Sequence, residues 1–258
     1  MVYECILYET RAAVAYLTLN HPQRANALSR RMIAEITHAL QGAAADEEIR
    51  VIVLRAAGRH FCAGHDLSEM AGVGMREARE IFENCNRMMQ LLHDLPQPVI
   101  AQVQGTATAA GCQLVAWCDL AVAEEGARFA TPGVRIGLFC TTPMTALSRA
   151  IGRKAALEML LTGREVPAAE ACRLGLVNRV VPAERLAAET EALAAEIARA
   201  SRLVLAIGKQ GFYAQVDVSD ETALHYAQHT IALNLLAEDA QEGIRAFLEK
   251  RAPAWKNR

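Results

Sequence analysis

The sequence predicts an α/β fold with an all-helical C-terminal region, and three features carry that reading. The unbroken apolar run at 51–54 has the pattern of a strand covered on both faces, and the mainly apolar segments 99–103 and 120–123 read as further buried strands. Between them lie longer stretches whose apolar residues recur at helical spacing. Beyond residue 200 the strand-like runs cease. With 258 residues, 52% of them hydrophobic, the chain can bury a sizeable core. A core over 1–200 and a helical C-terminal region over 201–258 are expected.

Taken in order, 2–9 and 13–19 are rich in β-branched and aromatic residues and predict a two-stranded start, ended by Asn20-His21-Pro22. Ser29 is placed to cap a helix reaching Ala45, with Met32, Ile33, Ile36, Ala39, Leu40 and Ala43 on one face. The first buried strand follows at 51–54. A second helical stripe, Ile81, Phe82, Cys85, Met88, Met89, Leu92 and Leu95, is stopped by Pro96 and Pro98 ahead of the strand at 99–103. The small-residue run after Gly105 leads into a helix and then the strand at 120–123. Helices are expected at 153–162, 168–174 and 183–200, with a short strand at 177–181. Of the last helices, at 222–236 and 238–249, the first places Ala223, Leu224, Ala227, Ile231, Asn234 and Leu235 on one face. Such a face fits either packing between subunits or a simple helical cap.

Composition narrows the function. Lys plus Arg number 27 against 29 Asp plus Glu, a net charge of -2, which provides no basic surface for phosphate backbones; nucleic acid is not an expected partner. The uncharged stretch 95–118 is long enough to cross a bilayer, but it holds four glutamines, two prolines and two glycines, so no membrane span is expected. The start, MVYECILYET, lacks a basic leader and carries Glu4 and Glu9, which points to a cytoplasmic address. Seven cysteines without a Cys-x-x-Cys pair read as reduced core thiols, and no metal ligand set is expected. No Gly-x-Gly-x-x-Gly, Walker loop, His-Glu-x-x-His or Gly-x-Ser-x-Gly is present.

Two segments remain that suit the presentation of backbone. Phe61-Cys62-Ala63-Gly64-His65-Asp66-Leu67 and Gln104-Gly105-Thr106-Ala107-Thr108-Ala109-Ala110-Gly111-Cys112 each follow a buried strand, and the second enters a helix. Small side chains there let a ligand approach free N–H groups, and two such donors on one oxygen form an oxyanion hole. Glycines that merely permit tight turns would look the same.

These residues carry a resemblance. Phe-x-Ala-Gly-x-Asp-Leu at 61–67 and Trp-Cys-Asp-Leu at 117–120 are similar to the crotonase family of enoyl-CoA hydratases and isomerases. Pro22 with Asn26-Ala27-Leu28, Phe129-Ala130-Thr131-Pro132, Leu160-Leu161-Thr162-Gly163 and Gly175-Leu176-Val177 match in order and spacing, so the resemblance spans nearly the whole chain. It implies a ββα spiral core with a C-terminal helical region that packs homotrimers or hexamers. It also implies an acyl-CoA thioester as substrate, a lyase activity in fatty acid metabolism, and no cofactor beyond that CoA. By position, the N–H groups of His65 and Ala110 would hold the thioester oxygen and stabilise an enolate. Arg24, Ala25, Ala63, Asp66 and Leu67 would bind CoA, with Phe247 and Lys250 at its nucleotide end from a neighbouring subunit.

The departures matter as much. Where hydratases of this family place two glutamates, this chain has Gln113 and Gly133, and neither can transfer a proton near pH 7. Ordinary hydration is therefore not expected, and decarboxylase-, isomerase- or thioesterase-type chemistry, or acyl-CoA binding without turnover, stays open. Cys140 would line the acyl end, either as a proton donor or as a space-filling core thiol. The Ala-Gly-His-Asp form resembles a decarboxylase branch that also lacks both acids and has a tyrosine where Cys140 aligns. Gly-Leu-Phe-Cys at 137–140 is similar to the subgroup called enoyl-CoA hydratase domain-containing protein 3. Asp66 and Asp119 read as turn and helix-end anchors, and Glu69 as a solvated loop charge.

Overall fold

The computed structural model describes residues 2–258. A hairpin opens the chain, β1 (Ile6–Arg11) antiparallel to β2 (Val14–Leu19), and Ser29 caps α1 (Arg30–Ala45) by accepting the Met32 N–H at 3.1 Å. Then come β3 (Val51–Ala56), α2 (Met75–Asp94), β4 (Val99–Val103), β5 (Thr106–Thr108), α3 (Ala110–Trp117), β6 (Leu120–Glu124) and β7 (Arg128–Ala130). α4 (Thr141–Ala150), α5 (Arg153–Thr162), β8 (Val166–Pro167), α6 (Ala168–Leu174), β9 (Arg179–Val181) and α7 (Leu186–Ile197) complete the core. Three helices end the chain, α8 (Arg202–Gln215), α9 (Asp220–Leu235) and α10 (Glu238–Leu248). Among the described residues no helix is long and apolar enough to cross a membrane.

The main sheet has the order β1-β2-β3-β4-β6-β9, parallel apart from the first hairpin. Its unbroken apolar strands follow from burial on both faces. Ile52, Leu54 and Val99 join α1, α2 and α3 in one cluster, while Val51, Val53, Ile100 and Val122 meet Leu186, Leu193 and Ala194 of α7 on the other side. The α/β expectation holds, with the strands and helices alternating as read.

Differences concentrate where segments are short. β1 begins at Ile6 rather than residue 2. β5, β7 and β8 form a second, three-stranded sheet that periodicity did not reveal, because runs of two or three residues carry no usable period. α4 was not expected either, since its apolar face is interrupted by threonines and Pro143.

Candidate active site

The first loop is held by an asparagine. Ala25 and Asn26 both adopt left-handed backbone (φ +48° and +53°), a conformation asparagine tolerates. The Asn26 Oδ1 accepts the His21 N–H at 2.8 Å, while its Nδ2 donates to the carbonyls of Ala57 and His60 at 2.9 and 2.8 Å. So fixed, the loop lies along residues 63–66. Ala63 N–H donates to Ala25 O at 3.0 Å, Leu28 N–H to Gly64 O at 2.7 Å, and Asp66 N–H to Leu28 O at 3.3 Å. Because pairing on this strand uses the groups flanking His65, its own N–H points away and has no acceptor among the described residues.

The second loop is pressed against the first. Cys62 N–H donates to Thr106 O at 3.1 Å and Thr108 N–H to Cys62 O at 2.9 Å. Ala109 donates to Ala130 O at 2.9 Å with φ +49° and ψ -119°, a strained backbone for a residue with a side chain, costing about 1–3 kcal/mol. That turn starts α3, so the Ala110 N–H is the first of the helix and has no partner within it. Contact between the loops depends on two glycines. A Cβ on Gly64, whose φ is +91°, would lie 3.2 Å from Ala110 N, and one on Gly111 would lie 2.2 Å from Cys62 O. The two expected donors thus belong to touching segments, each with its N–H free.

Around them stand buried polar groups without partners. Both ring nitrogens of His65 are unpaired, its ring meets Phe82 edge-on at 5.3 Å, and burial holds the imidazole below its ordinary pKa, hence neutral at pH 7. Gln113, one turn into α3, is 2% exposed with Oε1 unpaired. It also borders a separate cleft of about 1260 Å³ with Met89, Thr141, Thr142 and Trp117, which neither His65 nor Ala110 lines. Thr131, fully buried with a free hydroxyl, had no sequence signal beyond its place in a matched motif.

Gly133 and Cys140 are brought together. A Cβ at Gly133 would lie 2.6 Å from Leu138 O and 2.8 Å from the Cys140 Sγ, so lack of room, not left-handed backbone, excludes a side chain here. Cys140 is 9% exposed, and burial raises its thiol pKa, partly offset by the Gly133 N–H. The thiol therefore keeps its proton at neutral pH.

Of the residues expected at CoA, Arg24, Ala25, Ala63, Asp66 and Leu67 share the first loop cluster. The Arg24 guanidinium stands 3.3 Å from Asp66, which caps the turn after it by accepting the Ser68 N–H at 3.0 Å. The Ser68 hydroxyl, foremost, keeps that carboxyl below the usual range. Phe247, 83% exposed, and Lys250 stand at the far end of α10, and no hydrogen bond or ion pair among the described residues joins them to the cluster. Glu69 stays a half-exposed charge, as read, and also accepts the Arg30 N–H at 2.8 Å, because the first N–H groups of α1 need an acceptor. Asp119 is a helix-end anchor as expected, accepting the Val99 N–H at 2.6 Å.

Comparison with known proteins places the chain. The family model described as enoyl-CoA hydratase/isomerase matches residues 9–258. The rat protein called "Enoyl-CoA hydratase domain-containing protein 3, mitochondrial" is 46% identical over 242 residues, 93% of this chain and 81% of that protein. The crystal structure of human enoyl coenzyme A hydratase domain-containing protein 3 superposes with a TM-score of 0.96 at 42% identity, covering 98% of this chain and all of that one. An enoyl-CoA hydratase from Mycobacterium smegmatis reaches 0.95 at 50% identity, covering 98% and 99%. The fold is that of the crotonases. The cytoplasmic address is overturned, since the similar rat, zebrafish, mouse and human proteins are mitochondrial by name. Ten N-terminal residues were too little composition to assign a compartment.

Proposed function

Because the chain belongs to the enoyl-CoA hydratase/isomerase family, we propose that it binds an acyl-CoA thioester with the carbonyl oxygen between the N–H groups of His65 and Ala110. The observation that carries this reading is the pair of unpartnered N–H groups on two loops pressed together at Gly64. Donors already aligned on an oxygen that gains charge stabilise the enolate without reorganisation, each by about 2.7–4 kcal/mol. In this reading Arg24, Ala25, Ala63, Asp66 and Leu67 bind CoA from the same chain, and Phe247 and Lys250 from a neighbouring copy. No cofactor is required beyond the CoA of the substrate.

The reaction itself is set by what replaces the acids. Gln113 and neutral His65 offer hydrogen bonds but no carboxylate, and Leu138 O and Cys140 Sγ fill the space where a side chain at 133 would begin. Over hydration, this favours a decarboxylase- or isomerase-type reaction through a thioester enolate, with the Cys140 thiol or water returning a proton to carbon, or thioesterase-type hydrolysis in which water adds at the carbonyl, CoA leaves as the thiol and the same donors hold the oxyanion. Turnover of enoyl-, malonyl-type and saturated acyl-CoA thioesters, with binding measured in parallel, distinguishes the classes; binding of all without turnover of any leaves a non-catalytic acyl-CoA protein.

Crotonyl-CoA should be hydrated far below about 10 per second, because each missing acid–base group removes roughly 10²–10⁴-fold. Stopped assays of hydroxybutyryl-CoA formation check this, and a wild-type rate near 10 per second would mean another residue handles the protons. Gln113→Glu should raise the rate, whereas adding Gly133→Glu should destabilise the fold by about 1–3 kcal/mol because its Cβ meets backbone.

The helical end supports assembly. α9 buries none of its residues within the chain, and Leu224, Ile231 and Leu235 are exposed along it. Sedimentation at about 10 µM should give a trimer or a pair of trimers, and truncation before Ser201 should cause aggregation by exposing apolar surface. A stable monomer at that concentration would refute it.

A further inference from the structure

We propose that His225 and His229 on α9 form a chelating site for a divalent transition-metal ion of the zinc, nickel or copper type. Residues four apart on a helix lie one above the other on the same face. Both histidines are exposed, their ring centres are 4.6 Å apart and their planes cross at 88°. Two imidazoles bound through nitrogens at about 2.0–2.1 Å have ring centres roughly 4.5–5 Å apart when the N–metal–N angle lies between a right angle and tetrahedral. The pair already stands at that separation.

The scaffold keeps it there. α9 runs sixteen residues, and Ser219 caps it by accepting the Thr222 N–H at 3.4 Å. Tyr226 and Thr230, one position further round, face Gly211 of α8, which leaves the histidine column clear of α8. Imidazole nitrogens select zinc, nickel or copper over magnesium or calcium, which prefer oxygen. Among the described residues no cluster of three or more His, Cys, Asp or Glu is placed to hold a metal, so the site supplies two ligands and leaves the other positions to water. This departs from the expectation of no metal ligands, which rested on motifs built for complete protein sites.

Calorimetric titration of the untagged full chain with zinc chloride, and separately nickel chloride, near pH 7.5 tests the site. Wild type should bind at micromolar free metal and ignore magnesium. His225→Ala and His229→Ala should each weaken binding by about tenfold or more, since either leaves a single exposed imidazole. Alanine is the best helix former, so both variants should fold, and circular dichroism verifies it. Binding equal to wild type in both variants, or none in wild type at millimolar metal, overturns the proposal.

Discussion

Replacing Ala110 by proline will lower kcat on the thioester this protein turns over fastest by about 10²–10³-fold, the cost of losing one oxyanion donor. The substitution removes that N–H and places ring carbons where the carbonyl oxygen would sit. The first position of a helix is where proline is best accepted, because its N–H has no intrahelical partner. The strained Ala109 beside it is the risk, since a residue before proline is itself restricted. Circular dichroism and a Tm near the wild-type value separate a lost donor from a lost fold. Activity within tenfold of wild type in a folded variant would show that this N–H does not hold the reacting oxygen.

Lys209→Met will produce the largest loss of stability, about 3–5 kcal/mol. Lys209 lies on α8, 8% exposed, and its Nζ donates to the carbonyls of Leu92 and Gln97 at 2.6 and 2.8 Å and pairs with Asp119 at 2.8 Å. Asp119 in turn accepts from Val99 N–H and from the Tyr213 hydroxyl at 2.8 Å, so one ion pair ties α8 to the ends of α2 and α3 and to the start of β4. Burial lowers the Lys209 pKa despite the pull of Asp119, the mark of a pair whose desolvation rivals its attraction. Methionine leaves Asp119 and two carbonyls without their donor. At about 2–4 °C per kcal/mol, Tm should fall by roughly 6–20 °C. Lys209→Met with Asp119→Asn should recover part of that loss, because no charge then stands alone and the amide oxygen still accepts from Val99 N–H or Tyr213. A Tm change under about 3 °C in the single variant would show that the pair does not anchor α8.

Much of this molecule was legible from residues alone. The sheet strands β2, β3, β4 and β6 and the helices α1 and α2 appeared in the right order, because burial on both faces removes polar residues from a strand and burial on one face imposes a helical stripe. His65, Ala110, Gln113 and Gly133 were singled out by the family resemblance rather than by any period, and their roles rest on the proposed function. Short segments were not legible: β5, β7 and β8 exist only through their pairing with one another, which no local period encodes.

The site divides the same way. That Gly133 carries no acid is a fact of the sequence, but that it could not carry a side chain is decided by Leu138 O and Cys140 Sγ arriving from residues five and seven positions later. That Glu69 also caps α1 was not legible, because the free Arg30 N–H reaches it only in the folded chain. Lys209 and Asp119, ninety residues apart, have no shared motif, and neither do the unpaired nitrogens of His65. Residue type and spacing record what each segment can do by itself; which buried atom finds a partner, and which is left free for a ligand, depends on distances between segments that only the packed chain sets.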